Sequence, residues 1–110
     1  MENETVKLVV FVPETHVDVV REAMGKAGAG LIGDYKHCSF SVKGVCRFIP
    51  LDTAHPTIGE VGKFEEVQEE RIECVSKRSK AKEVIAAIKK VHPYEKVAFD
   101  IYPLISEDEL

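Results

Sequence analysis

The side chains that could do chemistry in this 110-residue sequence are four histidines and three cysteines, with a run of glycines beside them. Imidazole nitrogen and thiolate sulfur are donors suited to copper and zinc. On that ground His37, Cys38, His55 and His92 are candidate ligands for a divalent metal ion. His37 and Cys38 are sequence neighbours, however, and neighbours on a strand point to opposite faces, so one chain does not easily grip one ion with both. Either they are a core thiol and surface imidazoles, or His37, His55 and His92 meet across a boundary between copies. Cys38, Cys46 and Cys74 form no C-x-x-C. That removes a zinc ribbon and a thioredoxin-type redox pair. Cys38, Ser39 and Ser41 have no base and orienting acid at a recognisable spacing, and no nucleophile elbow occurs. The expectation is a protein that is not an enzyme.

Gly28-Ala29-Gly30-Leu31-Ile32-Gly33 spells G-x-G-x-x-G, with Asp52 further on. A dinucleotide site needs those glycines between a strand and the start of a helix, where amides meet the pyrophosphate. Here they follow a helical pattern and lead into a strand. The dipole has the wrong sign, and the glycines read as a helix stop. Acids crowd residues 60–73 and bases crowd residues 77–90. An anion-binding ridge is conceivable, but solvated strand and helix faces explain the runs more simply. His92-Pro93-Tyr94-Glu95 closes the second helical pattern, where the negative dipole end favours a cationic imidazole. A structural corner is the simpler reading. In the other, His92, Tyr94 and Glu95 bind a small ligand or metal at a cleft between subunits.

The elements that position these residues follow from periodicity. Residues 5–12 are β-branched and apolar on both faces, as in a central strand covered on each side. Thr15 and Asp18 fit the start of a helix, with Val17, Val20, Met24 and Ala27 on its apolar stripe. Cys38, Phe40 and Val42 alternate with polar residues, and Lys43-Gly44 suggests a hairpin turn into residues 45–49. Residues 51–62 read as a loop and 64–75 as a strand. Ser79 is positioned to cap a second helix carrying Ala81, Val84, Ile85, Ile88 and Val91, which His92-Pro93 ends. A last strand covers about 97–102, and the acidic tail should fray. The order β-α-β-β-β-α-β, with right-handed crossovers, is an α+β ferredoxin-like sandwich carrying an extra hairpin. Such a sheet has a second face without helices, so copies of the chain are expected to shelter it.

The length suits one domain spanning residues 1–110, with a core at about 5–104 and a tail at 105–110. At 45% apolar and 31% charged, the chain has the composition of a soluble globular protein. Fifteen basic against nineteen acidic side chains give −4, which argues against nucleic acid as a partner. The longest apolar runs, such as 8–12, are five residues, far short of the ~20 that span a bilayer. Met1-Glu2-Asn3-Glu4 is acidic where a secretory signal is basic. With an odd number of cysteines, these features point to a reduced, cytoplasmic protein.

Two stretches carry a family resemblance. The first is Gly33-Asp34-Tyr35-Lys36-His37-Cys38-Ser39-Phe40 with Gly44, Phe48, Pro50, Pro56, Ile58-Gly59 and Glu70-Arg71-Ile72-Glu73. The second is His92-Pro93-Tyr94-Glu95 with Ala98, Asp100 and Tyr102-Pro103-Leu104. Together they resemble the small YqfO-type domain of the Nif-three-like (Ngg-interacting-factor) proteins, which is similar to CutA and PII. The resemblance implies a ferredoxin-like fold that trimerises around its sheets. It also implies a regulatory or small-ligand-sensing role rather than a reaction; a divalent-metal binder of CutA character is the alternative. In larger relatives it places the dinuclear metal ligands in flanking domains, so a hydrolase label is not carried over. Cys46 and Thr53 stand where the family commonly has glycine, and Lys96-Val97 replace its usual acid and proline.

Overall fold

The computed structural model describes residues 4–110; residues 1–3, on which the reading of an acidic start rests, lie outside the described residues. The β-branched run Thr5–Pro13 forms β1, one of the two inner strands of the sheet. Val17–Lys26 is α1, Phe40–Phe48 is β2 and Glu65–Lys77 is β3. Ala81–Val91 is α2 and Phe99–Pro103 is β4. The sheet order is β2-β3-β1-β4, antiparallel throughout. Both helices lie on one face, against each other and the sheet. There Val6, Leu8, Val10 and Val12 of β1 meet Val20 and Met24 of α1 and Val84 and Ile88 of α2. Ile72 and Cys74 of β3 complete this core, with Phe99 packed at its edge. The fold is therefore the ferredoxin-like α+β sandwich.

The extra hairpin is corrected. Residues 40–48 are one unbroken strand whose partners run from Glu73 opposite Phe40 to Glu65 opposite Phe48. Lys43-Gly44 does not turn because thirteen-residue β3 offers an uninterrupted row of backbone partners on that side. The order is thus β-α-β-β-α-β. Neither expected helix cap forms. A 3-10 turn, Glu14–His16 before α1 and Arg78–Lys80 before α2, fills the entry to each helix, and neither helix has a side-chain cap. Thr15 Oγ1 lies 2.8 Å from His16 Nδ1 instead. The acidic tail holds a 3-10 turn, Glu107–Glu109, begun by Ser106, rather than fraying outright.

The glycine stop behaves as expected. Ala29 N–H donates to Met24 O and Gly28 N–H to Gly25 O, the paired bonds that close a helix through a left-handed residue, with Gly28 at φ 108°. Gly30 is held more tightly. Its N–H donates to Val75 O, its carbonyl accepts from Cys38 N–H, and a Cβ there would come within 2.5 Å of Cys38 O. The run thus ties the exit of α1 to β3. A radius of gyration of 15.3 Å and extents of 48 × 25 × 22 Å exceed the ~13 Å radius of a compact chain of this length. β2 is the thinly covered edge of the sheet: seven of its nine residues are exposed.

Candidate functional site

At one end of the helix-free face, the 49–64 loop folds back toward the corner leading into β4. Between them lies a cavity of about 240 Å³ walled by Phe11, Phe48, Pro50, Ala54, Pro56, Ile58 and Ala98. Its polar lining is Cys46, Thr57, Glu69, Tyr94, Glu95 and Lys96. Two bonds fasten loop to corner. His55 N–H donates to Glu95 Oε2 at 2.8 Å, and the Thr57 hydroxyl donates to Pro93 O at 2.9 Å. Pro50 O, accepting from Gly62 N–H, closes the base of the loop.

Beneath the cavity a short relay joins three elements. Pro93 pushes His92 into extended geometry (φ −75°, ψ 136°), which ends α2 and turns its ring inward. The ring is buried, with Nε2 2.8 Å from Phe11 O and Nδ1 3.2 Å from Tyr94 N. An amide can only donate, so Nδ1 accepts and Nε2 carries the proton that it donates to Phe11 O. The Tyr94 ring stands edge-on to His92 at 5.0 Å, and its hydroxyl donates to Glu69 Oε2 at 2.7 Å. Burial, then the hydrogen bond to Glu69 and the charges of Glu69 and Cys46, pushes the Tyr94 phenol well above its usual range. It therefore remains a donor. Cys46, shifted upward by burial and then by Glu69, stays a thiol on the same cavity wall. The arrangement suits binding: an apolar socket with one buried carboxylate held in place.

The residues singled out for chemistry are dispersed. Tyr94 and Glu95 line the cavity, whereas His92 lies behind it with both ring nitrogens occupied. His55 is exposed on the loop and contributes its backbone amide. His37 takes positive φ (59°) and packs its ring on α1, so that a Cβ on Gly25 would meet Nδ1 at 2.6 Å. Cys38 precedes β2 and lies close enough to Cys74 to act on the Cys74 thiol. The four metal candidates do not come together within one chain. Among the described residues, no three His, Cys, Asp or Glu side chains form a group that could hold a metal ion.

Glu69 was not singled out from sequence. It sits within the acidic stretch 60–73, where every neighbouring carboxylate suggests solvent. The signal that could have found it is register: Glu69 faces Pro13 on β1 and Gly44 on β2. Neither partner offers a charge, and glycine leaves room above the carboxylate. Cys46 and Lys96, two of the places where the sequence departs from the family pattern, both line this cavity.

No protein-family model matches the chain. It is 50% identical over 103 residues to a protein of Halalkalibacterium halodurans named GTP cyclohydrolase 1 type 2 homolog, covering 94% of this chain and 28% of that protein. A Bacillus subtilis protein of the same name is 55% identical over 98 residues, covering 89% of this chain and 26% of the relative. The chain thus spans about a quarter of the length of the curated relatives it matches. A solved Bacillus cereus protein related to NIF3 superposes with a TM-score of 0.84 at 45% identity, over 96% of this chain and 27% of that one. CutA from Archaeoglobus fulgidus superposes at 0.68 and 14% identity, over 96% and 91% of the two chains. The Bacillus subtilis GlnK–ATP complex does so at 0.62 and 11%, over 94% and 85%. These last two show likeness of fold alone. The chain is homologous to the YqfO-type segment of Nif-three-like proteins, and its fold is that of CutA and PII proteins.

Proposed function

We propose that this chain is a cytoplasmic, homotrimeric PII/CutA-like module that binds or senses a small ligand and carries out no turnover of its own. The observation that carries the reading is the sheet face without helices. Phe40 and Val42 stand on it 64% and 48% exposed, and the outer edge of nine-residue β2 pairs with no strand among the described residues. Apolar side chains beside an open strand edge are a surface that proteins normally cover. A second copy is the simplest cover, since closed assemblies of identical chains bury the same patch on every subunit. The count of three is what the family resemblance implies. Three free thiols, with no disulfide, suit a reducing compartment.

The relatives' name speaks of a GTP cyclohydrolase, but the match covers only a quarter of those proteins. The socket described above favours holding a molecule over transforming one: Glu69 is bound by the Tyr94 hydroxyl and the Cys46 thiol, and burial and Glu69 push that thiol toward its protonated, unreactive form. Light scattering across micromolar concentrations tests the assembly. The expected mass is three times that of the 12.3 kDa chain, and a stable single-chain mass would overturn it. Incubation with GTP and phosphate esters tests the rest. No turnover is expected; sustained turnover by purified chain would replace the binding role with an enzymatic one.

A further inference from the structure

We infer that the cavity beside Tyr94 is a binding site for a small organic cation: a ring-sized apolar body bearing one amine. This rests on the proposed reading of the chain as a binding module and adds the chemical class of its ligand. Size comes first. A cavity of about 240 Å³ is larger than the ~150 Å³ that admits benzene and smaller than the ~300 Å³ where drug-sized sites begin. One ring with a short chain fits that interval.

Charge comes second. Glu69 is 4% exposed and sits on the wall of a socket otherwise made mostly of carbon. A carboxylate in apolar surroundings is costly unless a donor or a counter-charge meets it. Tyr94 supplies one donor, at Oε2, and the Cys46 thiol a second, weaker one, neither of them charged. The remaining polar lining offers no competing cation at depth. Thr57 gives its proton to Pro93 O, and Glu95 accepts from His55. Glu95 and Lys96 are both exposed and opposite in sign, so they offset one another at the mouth. The Arg71 guanidinium, 5.9 Å from the Phe11 ring, is paired with Glu73, so the charge left on the cavity wall is that of Glu69. An ammonium group on the ligand completes its coordination, and the aromatic walls at Phe11 and Phe48 receive the body.

Titration of the purified full chain with phenethylamine, followed by calorimetry and by amide shifts at Phe48, Tyr94 and Ala98, tests the inference. Benzyl alcohol and phenylacetate serve as neutral and anionic analogues of similar size. The amine should bind and shift those amides, and the two analogues should bind about tenfold or more weakly. Glu69→Gln keeps an acceptor for Tyr94 while removing the charge, and circular dichroism verifies its fold. It should weaken the amine about tenfold and leave benzyl alcohol unchanged. Equal binding of all three compounds, an unchanged amine affinity in Glu69→Gln, or no binding by any compound would each overturn the cation assignment. Light scattering on the same samples separates the two ideas: a trimer that ignores amines keeps the module and loses this ligand class.

Discussion

On its helix side β1 sets Val6, Leu8, Val10 and Val12 against α1 and α2, while Lys7, Val9 and Phe11 on its other side stand outside that core. Both sides of the strand are covered, but by different means. Val9 is fully buried without belonging to the helix-side core. It lies in register between Glu73 and Asp100, beside a chain of polar contacts: Lys7 to Glu73 at 3.4 Å, Glu73 to Arg71 at 3.0 Å, and Arg71 toward Tyr102 at 3.5 Å. The Arg71 guanidinium also stands 5.9 Å from the centre of the Phe11 ring. Long charged side chains can cover apolar surface with their stems while their heads stay wet. Such a cover can be rearranged when another surface arrives. The helix side has no such freedom, because its cover is the fold.

The sharpest way to break that contrast is to cut one side chain from each face. Ile72→Ala on the helix side should cost about 2–5 kcal/mol in urea unfolding, through lost burial and the cavity left behind. Val42→Ala on the helix-free side should cost the isolated chain less than about 0.5 kcal/mol. Its effect should appear instead as easier dissociation on dilution, read by light scattering at matched chain concentration. Similar losses for both variants, independent of concentration, would erase the distinction between the faces.

His92 sits at the seam between them. Replacing it with alanine strands Phe11 O and Tyr94 N–H at once, and the expected loss is about 2–3 kcal/mol. The same variant should loosen Tyr94, detectable as a shift in its phenol ultraviolet band. A variant as stable as the parent, with an unmoved band, would show that water replaces both bonds.

Cys74 sharpens the comparison through pH. It faces the helix side, and burial, then Cys38, pushes its thiol up to about 11 from an ordinary 9.0. The folded state therefore holds the proton more tightly than the unfolded chain. The resulting stability is fully present below about pH 9 and is lost as pH rises toward 11. Urea unfolding should weaken by about 2 kcal/mol between pH 8 and pH 10.5. Cys74→Ala should flatten much of that slope, while the raised Tyr94 phenol leaves a residue of it at the alkaline end.

Local pattern in the sequence was enough for the framework. The doubly apolar run of β1, the stripe Val84-Ile88 and the stop at His92-Pro93 each depend on neighbours within a few residues, and each appears where periodicity puts it. Lys43-Gly44 failed as a turn for the opposite reason. Whether that pair bends depends on β3, more than twenty residues away, which holds it straight. Thr15 and Ser79 are good caps in isolation, but the 3-10 entries leave them nothing to cap. The site divides in the same way. Tyr94 and Glu95 stand out in a stiff tetrapeptide, whereas Glu69 gains its meaning only from cross-strand register opposite Gly44 and from a loop that closes above it.

The smallest effect belongs to the tail, which neither face of the sheet uses. Ser106 Oγ accepts from Asp108 N–H at 3.2 Å, and Ser106 N–H donates to Glu109 Oε2 at 2.9 Å, closing a reciprocal cap on one turn. Every residue of that turn is exposed. The last bond tying the chain to the sheet precedes it, from Leu104 N–H to Thr5 O. Ser106→Ala should therefore leave the unfolding free energy within about 0.5 kcal/mol of the parent. Only the exchange of the Asp108 and Glu109 amides should quicken, since the cap orders the turn without joining it to the core. A larger global loss would mean that the tail docks on something the chain alone does not present.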